Sequence, residues 1–253
     1  MSWYKNTSIW SALLAALAIL LTQLPPISSW LPKPKLEIIH ADKVGINNNI
    51  GIIGFNLPIE LDNKGNVPLD VTKIYFEVIA PNGTQKTYIA ESYAKPSTGG
   101  APSINLPITS INLNENELWS EFVYFTANLD PTAEQELSNI RLSISKDIYN
   151  DIDNKRRVGD YSRGEAQSSN VETAKDFFDK KFDLNKGEYK TKLSVQTSQA
   201  ELPFIIHSEF TVYEFHIETI KAQVDDYKYG AGIYFPPDNS KQAWIKLKPN
   251  KGN

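Results

Sequence analysis

Apolar and polar residues alternate along much of the chain, and this period of two is typical of β-strands with one buried face. The clearest run consists of Phe55, Leu57, Ile59 and Leu61, each separated from the next by one residue. The turn sequence Pro81-Asn82-Gly83 predicts a hairpin between two further runs, because Asn and Gly tolerate left-handed backbone. Similar runs predict strands over residues 53–61, 71–80, 84–90, 118–127, 188–197, 204–213, 215–224 and 242–248. Alternating stripes become buried when two antiparallel sheets pack face to face, so the sequence predicts a mainly β chain with an antiparallel β-sandwich.

Two helices are predicted between these strands, as an insertion at about residues 131–184. Asp130 is a suitable N-cap and Pro131 suits the first helical position. The segment 140–145 also alternates like a strand, but apolar residues continue at three- and four-residue spacing to Ile152, which favours a helix. The second helix is predicted over about Ser169 to Phe182, with an apolar face and a charged face.

The N-terminal region contains no charged residue from Asn6 to Pro32. A helix from about Tyr4 to Leu24 would span roughly 30 Å, which matches the hydrocarbon core of a bilayer. The sequence therefore predicts a membrane anchor at residues 1–29, a linker at 30–35 and a globular domain at 36–253. The alternative is a cleaved signal peptide. The aromatic residues expected at the membrane interfaces are Trp3, Tyr4, Trp10 and Trp30.

Small residues form a stripe along the predicted anchor, at Ser8, Ala12 and Ala16. This spacing lets two helices approach closely in lipid, so it predicts self-association and a homo-oligomer. The alternative is that Ala is simply common in membrane helices. Lys33, Lys35 and Lys43 follow the anchor and slightly favour a cytoplasmic domain, but the difference in charge is small and the side stays open.

The hairpins over roughly Leu36 to Ala127 resemble immunoglobulin-like sandwiches in their spacing. Together with the predicted anchor, they resemble membrane-anchored immunoglobulin-like β-sandwich proteins of unknown function. This resemblance implies a binding domain held at a membrane, rather than an enzyme.

Composition excludes several kinds of chemistry. The chain has no cysteine, so thiolate nucleophiles, disulfides and iron–sulfur clusters are excluded, and a prokaryotic source is favoured. Its net charge of -4 argues against a general affinity for nucleic acid. His207 and His216 lie near glutamates and could bind a metal, but their spacing matches no metal motif and a solvated strand face explains it better. No cofactor or metal is predicted.

The segment from Asp225 to Pro237 contains several aromatic residues around two glycines, and it is the predicted recognition surface. The alternative is that its tyrosines pack at the edge of the sandwich. The residues expected to bind a protein partner are Tyr227, Tyr229, Tyr234 and Phe235.

These features lead to three functional hypotheses. The first is a single-pass membrane-anchored adaptor or sensor whose sandwich binds a partner. The second is a membrane-perturbing effector of a prokaryotic defence system, which acts through helix self-association. The third is a membrane-anchored metal-dependent enzyme that uses His207 or His216.

Overall fold

The computed structural model describes residues 10, 11, 13–15, 18, 33–95, 104–234 and 241–249. From residue 33 onward, the helices are α1 (Pro131–Arg157), α2 (Ser168–Lys181) and α3 (Glu214–Lys221), and a 3₁₀ helix (Ala222–Tyr229) continues from α3. The strands are β1 (Leu36–His40), β2 (Lys43–Asn49), β3 (Ile52–Asn63), β4 (Leu69–Ile79), β5 (Gln85–Lys95), β6 (Ile104–Pro107), β7 (Ile111–Leu113), β8 (Leu118–Ala127), β9 (Gly187–Thr197), β10 (Phe204–Val212), β11 (Ala243–Lys246) and β12 (Lys248–Pro249).

The 12 strands in the described part of the chain all belong to one antiparallel sheet. Its order is β11-β2-β3-β8-β5-β4-β9-β10-β12, with β1, β6 and β7 added beside β3, β5 and β4. The sheet curls until its edges nearly meet, since β11 at one edge and β12 at the other are separated in the chain only by Leu247. The predicted β-sandwich is therefore wrong. The strands that were expected to form two separate sheets belong to one continuous hydrogen-bonded sheet.

Two β-bulges help the sheet to curl. The register slips by one residue at Thr72 on β4 and at Glu91 on β5. An extra residue in one strand bends that strand and increases the local twist. The interior that results is filled by aromatic rings, of which Phe55 contacts Phe76 at 5.3 Å and Tyr88 at 4.7 Å between ring centroids, both edge to face.

Helix α1 begins where the sequence predicts it. The Asp130 side chain accepts a hydrogen bond of 2.9 Å from the backbone N–H of Ala133, and Pro131 occupies the first turn. The helix continues through the ambiguous segment 140–145, so the prediction of a helix there is confirmed. Its apolar face forms a second core with α2 and the 3₁₀ helix, whose buried members include Ile144, Phe177 and Tyr227.

The β2–β3 hairpin joins the sheet to this helical core. Its two central residues, Ile50 and Gly51, have φ angles of +50° and +87°. Positive φ at both positions is typical of a tight two-residue hairpin whose twist matches that of its strands. Ile50 is fully buried in the helical core, and the backbone of Gly51 lies against Phe178.

The predicted strand over 215–224 is wrong, because this segment forms α3 and the start of the 3₁₀ helix. Ile217, Ile220, Val224 and Tyr227 follow one another at spacings of three and four residues, which is a helical period. The backbone N–H of Tyr213 donates to Nδ1 of His216 over 3.1 Å, which helps to fix the start of α3.

The predicted membrane anchor is corrected by the structure. Among the residues described, no helix has both the length and the apolar character needed to cross a bilayer. The longest of those helices, α1, has 27 residues and carries charged side chains along its exposed face. The hypotheses that depend on this anchor are corrected together with it. They are the single-pass localisation, the membrane-anchored adaptor, the membrane effector and the anchored enzyme. Trp10 is helical and 51% exposed, whereas Trp3, Tyr4, Trp30, Ser8, Ala12 and Ala16 lie outside the described residues.

Candidate functional site

A cleft of about 350 Å³ lies between α1 and the outer face of the sheet. We call it the α1 cleft. The sheet supplies its floor from β2, β3, β5 and β8, and the first turns of α1 form its wall. Its polar lining residues are Asn47, Asn49, Glu91, Thr126, Asn128, Glu134 and Arg141. Junctions between elements are common places for small-molecule sites.

The alternation of the strands explains why these side chains share the outer face. On β8, Val123 and Phe125 are buried in the sheet interior, so Thr126 points outward. On β2, Val44 and Ile46 are buried in the same interior, so Asn47 also points outward. Asn47 pairs with Gly54 on β3, and a Cβ at Gly54 would lie 2.4 Å from the Asn47 side-chain oxygen. Only glycine at that position leaves room for the Asn47 amide.

Glu91 reaches the cleft because it is the extra residue of the β5 bulge. Bulges often redirect a side chain in this way. One carboxylate oxygen of Glu91 accepts a hydrogen bond of 3.0 Å from the Thr126 hydroxyl.

Glu134 and Arg141 face the floor from α1, and both are exposed. In the part of the chain that the structure describes, no ion pair involves Glu91, Glu134 or Arg141. Apart from the hydrogen bond that Glu91 accepts from Thr126, the hydrogen-bonding capacity of these three side chains is therefore available to a ligand. Two carboxylates against one guanidinium make the cleft unfavourable for an anion.

An aromatic patch adjoins the α1 cleft on the same outer face, and its members are Phe122, Tyr124 and Trp244. Trp244 pairs with Gly45, Gly45 with Asn56, and Asn56 with Tyr124, which makes one row across four strands. Asn47 lies two positions after Gly45 on β2, so this row lies about 7 Å from the floor of the cleft. The side-chain amide of Asn47 on the cleft floor donates a hydrogen bond of 2.7 Å to the side-chain oxygen of Asn56, which belongs to this row.

Trp244 lies over β2 because Gly45 has no side chain. A Cβ at Gly45 would lie 3.2 Å from the Trp244 ring. Phe122 contacts Trp244 at 5.9 Å and Tyr124 at 5.2 Å between ring centroids. Trp244 remains 42% exposed. Burial raises the pKa of Tyr124, so its hydroxyl stays protonated and able to donate.

The predicted partner-binding residues do not form one surface. Tyr227 is fully buried and packs against Phe178, so it belongs to the helical core. Tyr229 is half-buried, with the cationic groups of Arg163 and Lys228 each 4.7 Å from its ring centre. Tyr234 is 48% exposed, and its hydroxyl lies 3.0 Å from that of Tyr149. Phe235 lies outside the described residues. A partner surface at Tyr229 and Tyr234 stays a prediction.

The histidines considered as metal ligands lie apart in the fold. His207 is exposed on β10, and His216 is buried in α3, where burial lowers its pKa. Within the ranges described, no three His, Asp or Glu side chains come together in a way that could hold a metal ion.

His40 is the third histidine, and its side chain connects β1 to β10. Its Nδ1 lies 2.7 Å from the carbonyl oxygen of Ala41, and its Nε2 lies 2.6 Å from the Ser208 hydroxyl. A carbonyl only accepts, so Nδ1 donates, and in the neutral imidazole Nε2 then accepts from the Ser208 hydroxyl. This resembles a serine nucleophile with its base, but Ser208 is 3% exposed and neither residue lines any of the cavities described. The pair therefore holds β1 against β10.

Sequence reasoning missed the α1 cleft and the aromatic patch. Strand alternation identifies Asn47 and Thr126 as exposed, but it does not reveal which strands are neighbours. The available signal was Gly45 and Gly54, because glycine inside a strand often marks close approach of another group.

Comparisons with known proteins add little to this picture. No family model and no curated protein matches the chain. One solved structure with partial similarity is a family 123 glycoside hydrolase from Clostridium perfringens, described for its hydrolysis of glycolipid glycans. The identity is 11% and the TM-score 0.31, and the match covers 71% of this chain but 27% of the hydrolase. Similarity at this level carries no conclusion about fold or activity.

Proposed function

We propose that this protein binds a neutral, polyhydroxylated molecule of the saccharide class in the α1 cleft. The observation that carries the proposal is the set of amide, carboxylate and guanidinium groups that line one cleft without ion pairs among themselves. Such groups suit hydroxyls, since a hydroxyl both donates and accepts.

The aromatic patch favours a saccharide over other neutral polar ligands. The C–H groups on one face of a pyranose ring form an apolar surface that stacks on an aromatic side chain. Trp244 offers such a surface about 7 Å from the cleft floor, a distance that a chain of two or more sugar units can span. A ligand of two or more units therefore fits both regions.

The charges in the cleft disfavour the main alternative, a phosphorylated or carboxylated ligand. Arg141 is the single cation that lines it among the residues described, while Glu91 and Glu134 would repel an anion. The proposal therefore predicts a preference for neutral over sulfated or sialylated glycans.

The test is a binding screen against neutral oligosaccharides, including maltohexaose, cellohexaose and chitohexaose, together with sulfated and sialylated glycans. We expect binding to at least one neutral glycan, and affinity about 10- to 100-fold lower for Arg141→Ala, because a charge-assisted hydrogen bond is lost. Arg156→Ala is the matched control, since Arg156 is exposed on α1 outside the cleft. Binding of none of these glycans, or equal loss in both variants, would contradict the proposal.

A further inference from the structure

A second cleft, of about 370 Å³, adjoins the α1 cleft where β8 leads into α1. We call it the end cleft. The two clefts share five lining residues, from the start of β3 and from the end of β8 and the connection to α1, namely Ile52, Ile53, Ala127, Asn128 and Leu129. The rest of the end cleft is lined by β5, by the end of α2 and by the N-cap of α1, through Lys86, Thr87, Tyr88, Lys181, Asp183 and Asp130. Because the same residues border both clefts, a single ligand can occupy them together.

The aromatic patch, the α1 cleft and the end cleft follow one another along β8 and the residues after it. Tyr124 belongs to the patch, Thr126 lines the α1 cleft, Asn128 lines both clefts and Asp130 lines the end cleft. Each of these residues lies two positions after the one before it. An extended chain rises about 3.3 Å per residue, so the line from Tyr124 to Asp130 spans up to about 20 Å.

Helix α1 forms a wall of similar length beside this line. The residues that it and its N-cap contribute to the two clefts are Asp130, Glu134, Leu137 and Arg141, at spacings of four, three and four. Such spacings place side chains on one face of a helix. At a rise of 1.5 Å per residue, this face extends about 16 Å, which is longer than a disaccharide.

The charges in the end cleft suit a neutral ligand. Among the residues described, two ammonium groups and two carboxylates line it, so they carry no net charge together. The Lys86 ammonium contacts the Asp183 carboxylate, and Lys181 lies 4.0 Å from Asp130. Ion pairs at the surface contribute little to stability, so these groups can turn to the hydroxyls of a ligand at small cost. A hydroxyl accepts from an ammonium and donates to a carboxylate.

We infer that the aromatic patch, the α1 cleft and the end cleft form one elongated site for a linear, neutral oligosaccharide of at least four sugar units. The chain lies along β8. One unit stacks on Trp244, the central units lie in the α1 cleft, and the far unit lies between Asp130 and Lys181. This inference rests on the proposed saccharide binding and adds the length and direction of the ligand.

The test is a chain-length series on the full chain, with malto-, cello- and chito-oligosaccharides of two, four and six units. Affinities are measured by NMR titration. In at least one series, we expect affinity to increase at least about 10-fold from two to four units, because further hydroxyls form hydrogen bonds, and to change little from four to six. The backbone amides of Thr87 and Lys181 should shift with the longer glycans and not with the disaccharide.

The variant Lys181→Met keeps the length of the side chain and removes its charge and its donors. It should weaken binding of the six-unit glycan about 10- to 100-fold and leave the disaccharide unchanged, because only the longer chain reaches the end cleft. Lys180→Met is the matched control, since Lys180 is exposed on α2 outside both clefts.

The outcomes separate this inference from the saccharide proposal. A six-unit glycan that binds without shifting the amides of Thr87 and Lys181 would overturn the elongated site and leave the saccharide proposal in place. Equal affinities for two and six units, or equal effects of Lys181→Met and Lys180→Met, would do the same. If no glycan of any length binds, both are wrong.

Discussion

At the residue scale, the β2–β3 hairpin shows how one local conformation positions the α1 cleft. Ile50 is β-branched and has a φ of +50°, a conformation that L-residues other than Asn and Asp rarely adopt. The strain of about 1–2 kcal/mol is offset by full burial of its side chain, which contributes about 1.5–3 kcal/mol. The hairpin is thereby fixed to the helical core, and with it the position of α1 over the sheet.

Gly51 provides a test of this connection. A Cβ there would lie 2.5 Å from the carbonyl oxygen of Phe178, whereas Gly83 has a similar φ and no atom within 4 Å of an added Cβ. We expect Gly83→Ala to lower the free energy of unfolding by about 1–2 kcal/mol, which is the cost of placing alanine in the left-handed backbone conformation. Gly51→Ala should lower it by at least about 1 kcal/mol more, because its added Cβ also clashes with Phe178. Urea denaturation of both variants measures the difference, and equal losses would contradict the close contact with Phe178.

Asp130 gives a prediction about pH. Its hydrogen bond from Ala133 N–H, together with the nearby charge of Lys181, lowers the pKa of this carboxyl below its ordinary value. A lowered pKa stabilises the fold at pH values above the ordinary pKa, and this contribution disappears as the pH falls through the folded-state value. The unfolding free energies of wild type and Asp130→Asn should therefore differ at pH 7 and converge below about pH 4. A difference that is the same at pH 7 and pH 3 would be inconsistent with the cap.

At the element scale, the sequence was sufficient to predict a helix where a capping residue marks its start or where apolar residues keep a helical spacing. Asp130 and Pro131 mark the start of α1, and the apolar spacing carries it past the segment that also alternates. The same spacing from Ile217 to Tyr227 indicated α3 and the 3₁₀ helix, but alternation of Phe215, Ile217 and Thr219 concealed it. Short apolar runs fit both periods, so sequence alone did not separate them.

The arrangement of strands required information that alternation does not carry. A period of two shows which face of a strand is buried, but not which strand is its neighbour. The bulges at Thr72 and Glu91 therefore had no counterpart in the pattern, although they help one sheet to curl in place of two. For the same reason, Glu91 and Asn47 could not be placed in a common cleft from the sequence.

The seam between β1 and β10 can be tested through the His40–Ser208 hydrogen bond. Ser208→Ala leaves a half-buried imidazole nitrogen without its donor, which should reduce the free energy of unfolding by about 1–3 kcal/mol. Hydrogen exchange should become faster along β1 and β10. The control Ser120→Ala removes an exposed hydroxyl and should change stability by less than about 0.5 kcal/mol. Similar effects of both substitutions would show that the seam does not depend on this bond.

At the scale of the whole molecule, two cores hold one cleft between them. The curled sheet supplies a rigid floor, and the helical core holds α1 over its outer face. Side chains on rigid elements keep the same geometry with and without a ligand, so little ordering free energy is lost on binding. The positions of Asn47, Glu91 and Arg141 therefore follow from the fold as a whole.

The most direct test of the saccharide proposal is NMR mapping of the full chain titrated with maltohexaose, cellohexaose and chitohexaose. With at least one of them, backbone amide shifts should concentrate at the ends of β2 and β8, at the β5 bulge and in the first three turns of α1. A ligand long enough to reach the aromatic patch should also shift the indole N–H of Trp244. If none of the three glycans shifts these amides at millimolar concentration, or if the shifts concentrate elsewhere, the α1 cleft is not a saccharide site.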